Sequence, residues 1–142
     1  MRTTGLLLLL VAGTAMALDY RSVTEATALY DAPSQKAKPV YVIAAGTPVE
    51  AVVTLDAWAK VRDSKGDLAW IERRMLSDRR MLQVKTERAQ IRTRAEDNAP
   101  LKFEAEMDVV LELLDQPGNG WAKVRHGDGQ EGFVKLAQVW GF

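Results

Sequence analysis

The stretch that decides the fold is written twice: residues 57–77 read AWAKVRDSKGDLAWIERRMLS, and residues 120–140 read GWAKVRHGDGQEGFVKLAQVW. When Trp58 is laid on Trp121, both segments contain Trp-Ala-Lys-Val-Arg, a glycine four residues later, and then a small residue followed by an aromatic one. A period of about 60 residues is too long for most solenoid repeats and suits a small domain. The chain is therefore predicted to consist of two copies of one small module.

Short runs of β-forming residues, separated by turn-forming residues, fill both copies. Within each repeated segment, two such runs flank a glycine-containing loop, which predicts a β-hairpin. The runs 39–43 and 49–55 precede the first hairpin, and the runs 101–106 and 108–114 precede the second. This pattern predicts an all-β fold, with two small antiparallel barrels in tandem.

The N-terminus has the pattern of an export signal. Arg2 is followed by the apolar run 6–12 and then by Ala15-Met16-Ala17, small residues of the kind that precede a cleavage site. The run is far shorter than the ~20 residues that a transmembrane helix needs. Residues 1–17 are therefore predicted to be a signal peptide, with no stable membrane anchor after cleavage, and the protein is expected to be periplasmic or secreted.

The sequence divides the rest of the chain into module 1 (residues 18–77), a linker (78–88) and module 2 (89–142). The linker is polar and rich in charge. Residues 81–85 within it have the character of a strand that ties the modules together. Strand is favoured over helix here because the segment shows no helical period and includes several β-forming residues.

Composition excludes several classes of function. Basic and acidic residues are equal in number, 19 of each, and removing Arg2 with the signal shifts that balance by a single charge. No strong field of one sign is available to attract nucleic acid or anionic lipid. The chain has no cysteine, so an exported fold would be held together without disulfides. A domain of ~60 residues is marginally stable alone, which favours two modules packed together.

No catalytic constellation is recognisable, and no cofactor or metal site is predicted. Thiol nucleophiles and thiolate ligands are absent, and the only histidine is His126. No serine lies in a nucleophile-elbow motif, and a lone histidine is poor evidence for a metal site. His126 and Asp128 flank a glycine in the hairpin loop, where turn chemistry accounts for them.

Binding residues are predicted on the outer face of the repeated strand. Successive side chains of a strand point to opposite faces, so the Ala and Val of Trp-Ala-Lys-Val-Arg face the core and the Trp, Lys and Arg face outward. A tryptophan beside two cations suits the recognition of a carboxylate-bearing ligand. The candidate ligand-binding residues are Trp58, Lys60, Arg62, Trp121, Lys123 and Arg125, with Tyr30 and Tyr41 as aromatics at the edge.

An alternative interpretation of the same residues is purely structural. The tryptophan at the start of a bent strand can roll into the core, and the cations can pair with Glu50, Glu72 or Glu112. Trp70 and Phe133 open the next strand and are expected in the core. Trp140 is expected to anchor the end of the chain or to fill the interface between the modules.

Each copy resembles a bacterial SH3-like (SH3b) domain. The resemblance is carried by Gly/Ala-Trp-x-Lys-Val-Arg, the glycine-containing loop, and Gly/Ala-aromatic-Val/Ile, although Ala69 stands where the family usually has glycine. It implies an exported, non-catalytic binding protein whose ligands are cell-wall peptides or envelope proteins. A structural accessory of an envelope assembly is the alternative. A wall hydrolase is disfavoured because two modules already fill the chain.

Overall fold

The computed structural model describes Gly5, residues 18–116 and residues 118–142. The predicted signal peptide, residues 1–17, lies outside the described residues apart from Gly5. The described chain folds into two seven-stranded antiparallel sheets, one after the other along the sequence. This confirms the predicted all-β fold with two tandem SH3-like modules. No helix within the described ranges is long and apolar enough to cross a membrane.

The two sheets have the same strand order. Module 1 contains β1 (Tyr20–Val23), β2 (Thr27–Tyr30), β3 (Pro39–Ile43), β4 (Pro48–Thr54), β5 (Trp58–Arg62), β6 (Leu68–Glu72) and β7 (Leu76–Ser77). Module 2 contains β8 (Met81–Val84), β9 (Arg88–Arg92), β10 (Leu101–Glu106), β11 (Val110–Asp115), β12 (Trp121–Arg125), β13 (Glu131–Lys135) and β14 (Val139–Trp140). The order β3-β2-β6-β5-β4-β1-β7 recurs as β10-β9-β13-β12-β11-β8-β14. Single-turn 3₁₀ helices, Arg73–Met75 and Leu136–Gln138, precede the last strands.

Module 2 begins earlier than the sequence indicated. Strand β8 lies inside the predicted linker, 78–88, and pairs with β11 and β14 of the second sheet. Leu82 and Val84 of β8 are fully buried in the core of module 2. Since burying these apolar side chains is favourable, β8 belongs to the second sheet and does not stand between the modules. Residues 78–80 alone separate the last strand of module 1 from the first strand of module 2.

Each module encloses its own core, and the repeated strand contributes to it as alternation predicts. Ala59 and Val61 of β5 are buried, as are Ala122 and Val124 of β12. The core of module 1 is formed by Val23, Leu29, Ile43, Val49, Ala59, Val61, Ala69, Ile71 and Met75. The core of module 2 is formed by Leu82, Val84, Ala89, Ile91, Ala105, Leu111, Ala122, Val124, Val134 and Val139.

The prediction that Trp70 and Phe133 lie in the core is wrong. Both are only partly buried, whereas their neighbours Ala69 and Val134 are buried. Trp70 pairs across the sheet with Lys60, and Phe133 pairs with Lys123. Residues that face each other across neighbouring strands share one side of the sheet, so the two aromatics lie on the outer face beside these lysines.

The modules contact each other through their first and last strands. The rings of Tyr20 and Trp140 meet edge to face, with centroids 5.4 Å apart, and the guanidinium of Arg80 lies 5.5 Å from the centre of the Tyr20 ring. Arg80 also donates a hydrogen bond of 3.0 Å to the carbonyl oxygen of Gly141. Trp140 thus lies at the interface between the modules, one of the two positions expected for it.

Candidate functional site

An open groove lies over Trp58 at one end of module 1. It has a volume of about 910 Å³ and is formed by three segments of the chain: the β2–β3 loop, the turn before β5, and the end of β6 with the start of the 3₁₀ helix. A groove of this size is within the range of small-molecule and peptide sites. The residues of this Trp58 groove are Pro33, Ser34, Gln35, Lys36, Asp56, Ala57, Trp58, Glu72, Arg73 and Arg74.

The base of the Trp58 groove is aromatic. Trp58 is the first residue of β5 and is only partly buried. Tyr30 supports the indole edge to face, with ring centroids 5.6 Å apart and an interplanar angle of 86°. Such a pair fixes the orientation of the indole, so the groove presents a preformed apolar surface.

One wall of the groove is a hydrogen-bonded carboxylate. Glu72 pairs with Trp58 across the β5–β6 ladder. Its Oε1 accepts a hydrogen bond of 2.8 Å from Gln35, and its Oε2 accepts one of 2.5 Å from Arg74. These two hydrogen bonds hold the pKa of the Glu72 carboxyl below its usual range. The wall is therefore ionised at neutral pH and already engaged with protein donors.

Exposed cations line the other side of the groove. Lys36 and Arg73 are both exposed, and neither forms an ion pair with any residue that the structure describes. Arg73 is positioned by its backbone N–H, which donates to the carbonyl oxygen of Ala57 at 2.9 Å. The guanidinium of Arg73 also donates a long hydrogen bond of 3.5 Å to the carbonyl oxygen of Asp56. Two cations without a carboxylate partner among the described residues, beside an aromatic floor, favour a ligand that carries carboxylates and some apolar surface.

The equivalent surface of module 2 is closed. Trp121 occupies the place of Trp58 but is only 8% exposed. Lys135 replaces Glu72 and lies 5.7 Å from the centre of the indole ring, and its ammonium forms an ion pair with Asp97. Asp97 occupies the place of Gln35. In module 1 the side chain from the loop donates to the one from the strand, and in module 2 the side chain from the strand donates to the one from the loop. The remaining cavity has a volume of about 50 Å³, which is too small for a large peptide side chain.

The four predicted cations, Lys60, Arg62, Lys123 and Arg125, do not form a common site with Trp58 or Trp121. Arg62 pairs with Glu50 at 3.1 Å, and Arg125 pairs with Glu112 at 3.1 Å and with Glu131 at 3.4 Å. Lys60 and Lys123 are partly buried beside the outward aromatics of the next strand. None of these four cations is among the residues that form the Trp58 groove.

The predicted edge aromatics have separate roles. Tyr30 supports Trp58, whereas Tyr41 lies at the opposite end of the β5–β6 hairpin and donates a hydrogen bond of 3.0 Å to Asp63. Burial, followed by that hydrogen bond, raises the pKa of the Tyr41 hydroxyl, so it remains a proton donor at neutral pH. In module 2 the equivalent contact is between Phe103 and His126, with ring centroids 5.9 Å apart.

His126 is engaged within its own loop. Its Nδ1 lies 3.0 Å from a carboxylate oxygen of Asp128 and accepts a hydrogen bond of 3.3 Å from the backbone N–H of that residue. Hydrogen bonds from Gln130 to Asp128, with a smaller effect of His126, lower the pKa of the Asp128 carboxyl to about 2. Across the described ranges, no group of three or more His, Cys, Asp or Glu residues is placed to hold a metal ion.

Of the ten residues that form the Trp58 groove, the sequence predicted only Trp58 as a ligand-binding residue. Gln35 and Lys36 lie in a loop that carries no recognisable pattern, and Arg73 and Arg74 follow the repeated motif and were not singled out. One signal was available: Glu72-Arg73-Arg74 in the first copy aligns with Lys135-Leu136-Ala137 in the second. That reversal of charge beside an identical tryptophan marks the position where the two copies differ in chemistry.

The fold, the duplicated motif and the two tryptophan positions define a protein built from tandem SH3-like modules. A family model described as bacterial SH3 domain matches the chain twice, over residues 23–78 and residues 85–141. The chain belongs to this family, and the two matches cover β2–β7 of the first sheet and β9–β14 of the second. No curated protein sequence matches it significantly.

Solved structures that align with most of this chain are larger proteins. NlpC2 from Trichomonas vaginalis aligns with 91% of this chain and 50% of its own length, at 12% identity and a TM-score of 0.41. NlpC1 from the same organism aligns with 98% of this chain and 51% of its own, at 14% identity and a TM-score of 0.41. An NlpC/P60 family protein from Bacillus cereus aligns with 87% and 56%, at 14% identity and a TM-score of 0.40. The chain spans about half the length of these structures.

Proposed function

We propose that the protein is a non-catalytic binding module of the bacterial cell envelope that holds a cell-wall peptide in the Trp58 groove. The observation that carries this proposal is the difference between the two copies: the groove over Trp58 is open, and its counterpart over Trp121 is filled by Lys135. Membership of the bacterial SH3 domain family and the predicted signal peptide support a periplasmic or secreted location.

The chemistry of the groove fits a peptide with free carboxylates. The indole of Trp58 offers apolar contact area, and Lys36 and Arg73 offer charge-assisted hydrogen bonds. Short wall peptides carry apolar groups and free carboxylates. An open groove suits an extended peptide better than a compact metabolite.

Replacing the floor of the groove is expected to remove binding. In co-sedimentation with purified peptidoglycan, Trp58→Ala lowers affinity about tenfold or more, because a central aromatic anchor carries much of the energy of such a site. Trp121→Phe is the matched control: it changes the same residue of the other copy, stays buried, and leaves binding unchanged. If Trp58→Ala pellets with the wall as well as the native protein does, the groove is not the binding site.

The same experiment separates binding from hydrolysis. A non-catalytic module pellets with peptidoglycan without releasing soluble fragments over the incubation. Release of fragments by the pure protein, abolished by changing His126 or one carboxylate, would show instead that the protein is a wall hydrolase.

A second candidate function, assembly with other copies, is favoured by the edge strand β3. Val40 and Val42 are exposed on this edge, Val42 to 72%. The equivalent edge strand of module 2, β10, carries Lys102 and Glu104 at these places. Charged residues on an edge strand oppose pairing with another sheet, so β10 is protected and β3 is not. A structural accessory of an envelope assembly would pair β3 with β3 of a second copy.

Light scattering at increasing concentration tests this second candidate. If β3 mediates assembly, the native protein shows a mass that rises with concentration, and Val42→Lys returns it to a monomer. Val52→Lys, at an exposed valine of β4, is the matched control and leaves the mass unchanged. A native protein that stays monomeric at high concentration would remove the basis for assembly through β3.

A further inference from the structure

Each repeated tryptophan faces one residue of the following strand across its hairpin. Trp58 of β5 pairs with Glu72 of β6, and Trp121 of β12 pairs with Lys135 of β13. We propose, on the basis of the proposed function, that this facing residue determines whether the surface over the tryptophan is open to a ligand. Glu72 is thus a specificity-determining residue of the Trp58 groove, and Lys135 is an internal cover that closes the equivalent surface of module 2.

Lys135 has the reach and the charge to cover an indole. Residues that pair across neighbouring strands lie on one face of the sheet, and the apolar stem of a lysine packs along neighbouring apolar surface. An ammonium group is attracted to the face of an aromatic ring, and that of Lys135 lies 5.7 Å from the centre of the Trp121 ring. It also forms an ion pair with Asp97, in the loop between β9 and β10.

Glu72 cannot cover Trp58 in this way. Its side chain is shorter than that of lysine, and its carboxylate is repelled by the negative face of an aromatic ring. It accepts hydrogen bonds of 2.8 Å from Gln35 and 2.5 Å from Arg74 instead, and both donors belong to the groove. The groove over Trp58 keeps a volume of about 910 Å³, against about 50 Å³ beside Trp121.

The same two positions join a loop to the sheet in both modules. Gln35 lies in the loop between β2 and β3, and its bond to Glu72 is the one side-chain hydrogen bond between this loop and β6 in the described ranges. In module 2, the ion pair of Asp97 and Lys135 joins the loop between β9 and β10 to β13. The two pairs therefore occupy equivalent places and can be exchanged between the modules.

Exchange of these pairs is expected to leave both modules folded. The side chains of Lys135 and Asp97 are 45% and 76% exposed, and exposed ion pairs contribute little to stability. Neither these two residues nor Gln35 and Glu72 belong to the hydrophobic core of a module. A change in access to either tryptophan can therefore be measured in a folded protein.

The first variant builds the module 2 pair in module 1 through Gln35→Asp and Glu72→Lys. The exchange makes the groove more positive, so it would strengthen binding of a carboxylate ligand if the groove stayed open. We expect the opposite: in co-sedimentation with peptidoglycan, affinity falls about tenfold because the lysine covers Trp58. Glu72→Gln, which keeps the length of the side chain, is the control and retains native affinity. If the exchanged variant binds at least as tightly as the native protein, the facing residue does not close the groove, although the proposed function still stands.

The second variant builds the module 1 pair in module 2 through Asp97→Gln and Lys135→Glu, and its test needs no ligand. A soluble gadolinium chelate broadens the NMR signals of exposed indole groups and so reports access to each tryptophan. We expect the Trp121 signal to be broadened more strongly in this variant than in the native protein, with the Trp58 signal unchanged. Lys102→Glu, the same charge reversal on exposed β10, is the control and leaves Trp121 protected. If Trp121 stays protected in the exchanged variant, Lys135 is not its cover and the proposal is wrong, whatever the outcome of the binding assay.

Discussion

Replacing Trp121 with alanine is expected to lower the free energy of unfolding by about 3–5 kcal/mol. The indole is almost fully buried, and the ammonium of Lys135, which is paired with Asp97, lies over its ring. Truncation removes the apolar area of the ring and leaves a cavity that the rigid strand β12 cannot fill. Urea unfolding followed by circular dichroism measures the effect without relying on tryptophan fluorescence.

Trp58→Ala is the matched comparison for stability. Because the indole of Trp58 is only partly buried, its removal is expected to cost about 1–2 kcal/mol. Trp121→Ala is thus expected to have the larger effect on the free energy of unfolding, and Trp58→Ala the larger effect on binding affinity. If Trp121→Ala lowers the free energy of unfolding no more than Trp58→Ala does, the indole of Trp121 is not buried in the core of module 2.

Replacing Gly132 with alanine is expected to destabilise module 2 by about 1–3 kcal/mol. A Cβ at this position would overlap Cγ2 of Ile91 and would lie 2.8 Å from the carbonyl oxygen of Arg92. Module 1 tolerates alanine at the equivalent position, Ala69, which is buried. There Leu29 replaces Ile91, and leucine branches one carbon further from the backbone, so no methyl group occupies that space.

The double variant Gly132→Ala, Ile91→Leu tests this explanation. Part of the lost stability should return, because the methyl group that clashes is removed, although the Arg92 carbonyl remains close. A double-mutant cycle in urea should give a favourable coupling of about 0.5–3 kcal/mol between the two sites. Additive effects of the two changes would show that the replacement of Ile91 by Leu29 does not explain why module 1 has alanine at position 69 instead of glycine.

The fold was predictable because the repeated segment carries independent signals that agree. The hairpin glycines, Gly66 and Gly129, both adopt positive φ, and the small residues of each Trp-Ala-Lys-Val-Arg segment lie in the cores. Alternation in a single strand is a local property, so it can be read from sequence. The start of module 2 could not be predicted from the sequence. Strand β8 is short, and its place in the sheet depends on β11 and β14, which are distant in sequence.

The candidate site was predictable only in part. The sequence singled out Trp58 and Trp121 together and left open whether either is exposed, because the motif is identical in the two copies. Their difference comes from side chains outside the motif, Glu72 with Gln35 in one copy and Lys135 with Asp97 in the other. Gln35 and Asp97 are separated by one residue fewer than Trp58 and Trp121. An ungapped alignment that matches the two tryptophans therefore does not match Gln35 with Asp97.

We expect the Trp58 groove to take the ligand and the Trp121 site not to take it. The most direct measurement is NMR of the indole N–H signals of the four tryptophans during titration with soluble peptidoglycan fragments. We expect a saturable shift of the Trp58 signal and an unchanged Trp121 signal. A shift of the Trp121 signal without a shift of the Trp58 signal would show that the ligand does not bind in the Trp58 groove.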